Sequence, residues 1–216
     1  MTTRRFRDRF HAGEVLAEAL PPDVRTDVLV IGLARGGVQT AAAVARRLAA
    51  PLDVLAVRKV GHPWQPEYAI GAVAPGADGV YIRAGDGLSK KEVAELVHRA
   101  KQAAGELDEM FHERHPRLEL SGRTVLLVDD GLATGATMIA AIRWAGGQGA
   151  RRVIAAVPVG ASASCALLRR EAEVVCPNEM GDFGAVGFWY ERFDQVGTEQ
   201  VLALLDELDA LQPARS

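Results

Sequence analysis

The chain is poor in cysteine, in aromatic side chains and in net charge. Cys165 and Cys176 are the two cysteines among 216 residues. Neither belongs to a CxxC pair or to a Cys/His spacing that suits zinc. A disulfide scaffold and a zinc module are thereby excluded, and two reduced core thiols are expected. Aromatic residues make up 6% of the chain, and 25 basic residues against 28 acidic ones leave a formal net charge of -3. Bulk attraction to nucleic acid or to an anionic membrane is not indicated. The longest uncharged stretch, Val153 to Leu168, has 16 residues and contains Pro158, Gly160, Ser162 and Ser164. It is too short and too broken to span a bilayer. The amino terminus carries Arg4, Arg5, Arg7 and Arg9 with no apolar core behind them. No signal peptide is expected, the location expected is the cytoplasm, and the four arginines read as a solvated face.

What is present is ordinary globular material, with 49% hydrophobic and 25% charged residues. A chain of this length buries roughly 70% of its unfolded surface and needs no staple. A helix is expected over 4–20, where Phe6 and Phe10 share a face, and Pro21-Pro22 stops it. Strand-type runs lie at 27–32, 52–57, 123–129, 152–159 and 173–176. Helical stretches lie at 38–50, 89–115, 137–145, 161–170 and 198–211. Ser89 and Glu92 have the spacing of a capping box. Gly61, Pro63, Pro66, Gly71, Pro75, Gly76 and Gly79 mark 60–79 as a mobile excursion, with a hairpin of 68–73 and 79–83. Strands that alternate with helices and are apolar throughout predict a parallel sheet of about five strands, covered on both faces.

The strongest chemical signal runs from Val125 to Thr137. Four aliphatic residues deliver Asp129 and Asp130 to the carboxyl edge of a strand, where ligands sit in open α/β sheets. The loop Gly131, Leu132, Ala133, Thr134, Gly135, Ala136, Thr137 then opens a helix. Its free amides, the helix start and two hydroxyls make an anion pocket. It lacks the lysine of a P-loop, so it suits one monophosphate. Two carboxylates beside a phosphate make sense when they accept from a diol and hold a divalent cation. Phosphate, diol and metal together describe a ribose 5-phosphate.

This segment resembles the 5-phosphoribosyl-1-pyrophosphate (PRPP) motif of type I phosphoribosyltransferases. Gly131 departs from it, since most members carry a branched aliphatic residue or serine there. Ala34, Arg35, Gly36 and Gly37 follow the first core strand and resemble the family's pyrophosphate loop, in which the peptide matching Ala34–Arg35 is often cis. The spacing is not the GxGxxG of a Rossmann fingerprint. Arg58 and Lys59 fall where the family sets basic residues against pyrophosphate, before a lid. In that lid the resemblance makes Glu67 a candidate acid or base for the leaving or attacking nitrogen, and His62 a weaker candidate contact to diphosphate. Phe183 and Trp189 fall in the hood, where the family stacks an aromatic ring on a flat base.

The resemblance implies a single domain over 1–216. Its core is about 22–176, its hood comes from 1–21 and 177–197, its lid is about 60–79, and its last helix is 198–211. It also implies an Mg2+-dependent transfer of the phosphoribosyl group from PRPP to a nitrogen acceptor such as a purine-like nucleobase. Asp129 and Asp130 would be the metal and ribose ligands. A homodimer is one expected state, and neither nucleic acid nor membrane is an expected partner. The rival readings are a PRPP- or nucleotide-sensing regulator of the same fold, and a hydrolase or phosphorylase of phosphoribosyl compounds. His112 and His115 have the wrong spacing for a zincin and read as surface residues. The helix over 89–115 reads as an interface or a plain cover.

Overall fold

A computed structural model describes residues 5–25, 27–76, 78–83 and 87–211; the side chains at 65–67 and 211 lie outside that description. The first helix, α1 (Arg9–Ala19), begins later than the sequence suggests. Asp8 caps it, accepting from the backbone N–H of His11 at 3.0 Å, which satisfies one free donor of the first turn. The residues before it are drawn aside, because Phe6 bridges to Tyr190. After a 3-10 turn at Pro22–Val24 come β1 (Val28–Ala34), α2 (Gly37–Leu48) and β2 (Leu52–Ala56).

The segment expected as a mobile excursion is an antiparallel sheet of β3 (Arg58–His62), β4 (Gln65–Val73) and β5 (Val80–Ile82). The β4–β5 hairpin lies where the sequence places it, with Val73 opposite Val80. Arg58 and Lys59 open β3 instead of closing β2, and β3 and β4 pair with register shifts at Gly61. Those shifts break the period-two pattern that marks a strand. α3 (Lys90–His112) follows, with the capping box between Ser89 and Glu92 formed.

The remaining elements are β6 (Thr124–Val128), α4 (Ala136–Gly147), β7 (Arg152–Ala156), β8 (Val159–Ala161), α5 (Ser162–Leu168), β9 (Glu173–Val175), β10 (Asn178–Met180) and α6 (Thr198–Leu211). The run expected as one strand over 152–159 splits at Val157-Pro158, since proline has no N–H for a ladder. β8 pairs instead with β10.

Five strands form the parallel sheet in the order β2-β1-β6-β7-β9. Successive residues of its strands enter opposite cores. Val28, Val30, Leu126 and Val128 face α1, α2 and α6. Leu29, Ile31, Val125 and Leu127 face α4 and α5. Burying each such side chain is worth roughly 1.5–3 kcal/mol, so the central strands anchor whatever hangs from their ends. α3 is a cover. Its first half packs Val93, Leu96 and Val97 on the β3–β5 sheet, and its second half adds Leu107 and Phe111 to the main core.

His112 and His115 are not surface residues. His112 Nε2 lies 3.0 Å from Asp53 Oδ1, and its Nδ1 lies 2.7 Å from the backbone oxygen of Asp108. His115 Nδ1 lies 2.9 Å from Asp209 Oδ2. Asp108 is a local partner, four residues before His112 on α3, whereas Asp53 of β2 and Asp209 of α6 are out of reach of local spacing.

Candidate active site

β1 and β6 are neighbours, with Gly32 paired to Val128. Their loops therefore leave the same edge of the sheet side by side. Asp129 and Asp130 follow β6 directly, and the loop beyond them closes on Gly135, whose φ of 80° is the left-handed conformation that glycine adopts freely. α4 starts at the next residue. Leu132 is tied down from both sides: its N–H donates to Val159 O, and its carbonyl accepts from Ala161 N. Ser164 Oγ donates to Ala133 O at 2.6 Å.

Asp129, Asp130, Gly131, Leu132, Ala133, Thr134, Gly135 and Thr137 line one crevice with Lys59, Met138 and Val186. Its volume is about 150 Å3, below the roughly 300 Å3 usual for a whole small-molecule pocket. The enclosed part suits a phosphate and its sugar.

The Ala34–Gly37 loop abuts the acids. The Ala34–Arg35 peptide bond is cis. A Cβ at Gly37 would lie 2.7 Å from Asp129 Oδ1, and one at Gly36 would lie 2.5 Å from Asp130 Oδ2. Only glycine lets the two loops come this close. Arg35 and Arg58 are exposed beside this edge, and Lys59 is exposed at the crevice wall.

Burial pushes the Asp129 carboxyl well above the usual carboxylate range, and repulsion from Asp130 adds to it; Arg9 and Lys59 pull the other way. Asp130 is raised as well, by burial, against the opposing hydrogen bond from Arg9. The pair is poorly compensated by the protein alone and favours an added cation or hydroxyl donor. Among the described residues no cluster of three or more His, Cys, Asp or Glu side chains could hold a metal. Mg2+ commonly takes one or two carboxylates and fills its shell with water and substrate phosphates. Asp129 and Asp130 fit an ion that arrives in that way.

Several neighbours of the site escape local sequence reasoning. Arg9 belongs to no solvated face: it is 7% exposed, and its Nε donates to Asp130 Oδ2 at 2.7 Å. Arg4 lies outside the described residues. Tyr190 Oη donates to the backbone oxygen of Asp130 at 2.5 Å. Val186 packs over Gly131, where a Cβ would lie 2.6 Å from Val186 Cγ1. The unusual glycine of the motif is thus matched by a valine of the hood.

Phe183 and Trp189 come together, but in a neighbouring cavity of about 490 Å3 that they line with Arg5, Asp182, Gly184 and Phe188. Their rings stack at 5.9 Å, and Trp189 Nε1 donates to Phe183 O. Phe183 is buried, so one of its faces is already covered. His62 is also buried, in edge contact with Trp64 and Tyr68. Glu67 sits on β4, with its side chain outside the described residues. Neither the 490 Å3 cavity nor a third one of about 520 Å3 contains the paired acids or the phosphate-type loop. The smaller crevice is the one equipped for chemistry.

A parallel five-stranded sheet with paired acids and a small-residue loop at its carboxyl edge is the architecture of type I phosphoribosyltransferases. The chain belongs to the phosphoribosyl transferase domain family, which matches residues 12–190. It is 42% identical, over 93% of its length, to a Mycobacterium tuberculosis protein, MT0597, whose name assigns it provisionally to the phosphoribosyl transferases. The chain covers 46% of that protein, so it spans about half the length of the curated relatives it matches. It is also similar to TT1426 from Thermus thermophilus, with 43% identity, a TM-score of 0.80, and coverage of 94% of this chain and 99% of that one. A Neisseria gonorrhoeae protein solved with bound ppGpp shares the fold alone, at 14% identity and a TM-score of 0.50, covering 96% of this chain and 98% of its own. No helix among the described residues is long and apolar enough to cross a membrane.

Proposed function

We propose that this chain transfers the 5-phosphoribosyl group of PRPP to a nitrogen of a purine-like nucleobase, with Mg2+, releasing pyrophosphate, as a step of nucleotide salvage. The observation that carries this reading is the convergence on one sheet edge of the Asp129–Asp130 pair, the 131–137 loop with its helix start, Lys59 and the Ala34–Gly37 loop.

In this reading the amides of 131–137 anchor the 5-phosphate at the start of α4. Remote binding there becomes positioning at C1 of the ribose. Asp129 and Asp130 accept from the ribose hydroxyls and favour positive charge on the ring as the C1–oxygen bond to pyrophosphate breaks. Asp129 and Asp130 would hold Mg2+ here, and the ion would supply countercharge to the leaving group. Arg35, Arg58, Lys59 and the Ala34–Gly37 amides meet the negative charge that grows on the leaving pyrophosphate. The acceptor enters from the hood, where Phe188 and Trp189 offer flat apolar surface backed by the buried Phe183 ring, and Glu67 of the lid handles its proton. The β3–β4 lid excludes water that would otherwise capture C1.

The test is a screen of nucleobases with PRPP and Mg2+, following pyrophosphate. Release that depends on one class of base is expected. Tight PRPP or nucleotide binding with no base-dependent release would favour the sensor reading; the ppGpp held by the Neisseria protein is an instance of a phosphorylated nucleotide on this fold.

A further inference from the structure

Arg9 is the first residue of α1 and is almost wholly buried. Its guanidinium is fixed in three directions. Nε donates to Asp130 Oδ2 at 2.7 Å, Nη1 donates to the backbone oxygen of Asp194 at 2.7 Å, and the central carbon lies 3.8 Å over the Phe193 ring. A planar fork pinned at two edges and one face has little freedom left.

Asp130 is fixed equally well. Its backbone oxygen accepts from Tyr190 Oη, and Gly36 closes the space beside Oδ2. The arrangement engages Oδ2 and leaves Oδ1 with no side-chain donor among the described residues. A buried ion pair is a poor stabiliser, because removing both charges from water costs about as much as their attraction returns. What such a pair does supply is orientation. Without Arg9, repulsion from Asp129 would turn the Asp130 carboxylate away, and its free oxygen would lose a fixed position.

Resting on the donor-binding reading above, we propose that Arg9 is a positioning residue: it holds Asp130 so that Oδ1 is pre-set to accept a hydroxyl of the bound sugar phosphate. Arg9 touches neither sugar nor phosphate. It acts through Asp130, and it couples the hood segments at 5–20 and 190–194 to sugar recognition. A hydroxyl acceptor set before the ligand arrives spends no binding energy on ordering.

The experiment is calorimetric titration with ribose 5-phosphate and with its 2,3-dideoxy analogue. Both carry the phosphate, and one carries the hydroxyls. The wild-type protein should bind the hydroxylated sugar about tenfold or more tightly, the scale of a hydrogen bond to a carboxylate. Arg9→Gln should bring that ratio close to one while leaving the dideoxy affinity within about twofold, because the phosphate loop is untouched. Arg9→Lys, which restores one charge but not the fork, should give an intermediate ratio and settles the matter if the glutamine variant does not fold. In an Asp130→Asn background, Arg9→Gln should change the ratio no further. A wild-type protein that does not distinguish the two sugars overturns the donor-binding reading itself. A discriminating wild-type protein whose ratio survives both Arg9 substitutions overturns the role of Arg9 alone, as does equal loss of affinity for both sugars.

Discussion

Replacing Gly131 by alanine should loosen the protein, although alanine is ordinarily the better residue. A methyl at this position would stand 2.6 Å from Val186 Cγ1 and 3.0 Å from Cγ2. Carbon atoms in good contact sit about 3.5–4.0 Å apart, so Val186 must retreat by close to 1 Å. Overpacking of this kind costs about 1–3 kcal/mol. The opposing gain, a less flexible unfolded chain, is about 0.4–1 kcal/mol. Gly131 is not among the glycines with a left-handed φ, so backbone conformation adds nothing to the cost. The net loss is then about 0.5–2 kcal/mol, and in a chain of this size each kcal/mol moves Tm by about 2–4 °C. Calorimetric melting of Gly131→Ala should show a fall of about 1–8 °C. Val186→Ala should restore room, so that the double variant is more stable than the two single losses sum to by about 0.5–2 kcal/mol. A Gly131→Ala protein as stable as the parent, or strictly additive variants, would refute the claim that the hood rests on the floor of the crevice.

Other outcomes are expected. Asp130→Asn should weaken PRPP binding about 10- to 100-fold, or about 1.5–3 kcal/mol, in calorimetry with Mg2+; unchanged affinity would remove Asp130 from the site. Excess chelator should weaken PRPP binding yet leave the Tm of the free protein unchanged, because the described residues hold no ready-made metal cluster; a drop in that Tm would speak for a resident ion. Trimming the β3–β4 tip at Pro63-Trp64, where Trp64 is 72% exposed, should keep PRPP binding and raise the ratio of PRPP hydrolysis to transfer; normal transfer would contradict the lid's role. Burial pulls the His112 imidazole down, and Arg117 adds to that, but the hydrogen bond to Asp53, the Asp53 charge and the hydrogen bond to the Asp108 backbone together outweigh them, so the folded value lies above 6.5. The stability His112 contributes is therefore complete below about pH 6.5 and is lost as pH rises through the folded value. His112→Gln should flatten that decline in urea titrations, and parallel slopes in the two proteins would show the reading to be wrong.

Features held by neighbouring residues were legible in the sequence; features held across the fold were not. The run from Val125 to Asp130 announces a buried strand and its acidic edge within six residues, and the Gly135 turn lies in the same stretch. The β4–β5 hairpin and the capping box at Ser89 are equally local. The apolar spacing of Phe6 and Phe10 drew the expected helix too far forward, past the Asp8 cap that the structure shows. Arg9 differs in no local respect from Arg5 or Arg7; the acid it pairs with lies 121 positions away. Val186 and Tyr190 are ordinary apolar and aromatic residues until β8 and β10 carry their loop over β6. β3 stayed hidden because its irregular pairing removes the alternation that would have disclosed it.

The Phe6–Tyr190 bridge changes how the amino-terminal end of the chain should be handled at the bench. A fusion tag set tight against residue 5, or a tidy-up deletion of the first seven positions, would unpick the stitch that brings Arg9 to Asp130. Protein engineered in that way could express well, melt cooperatively and still give a misleading assay.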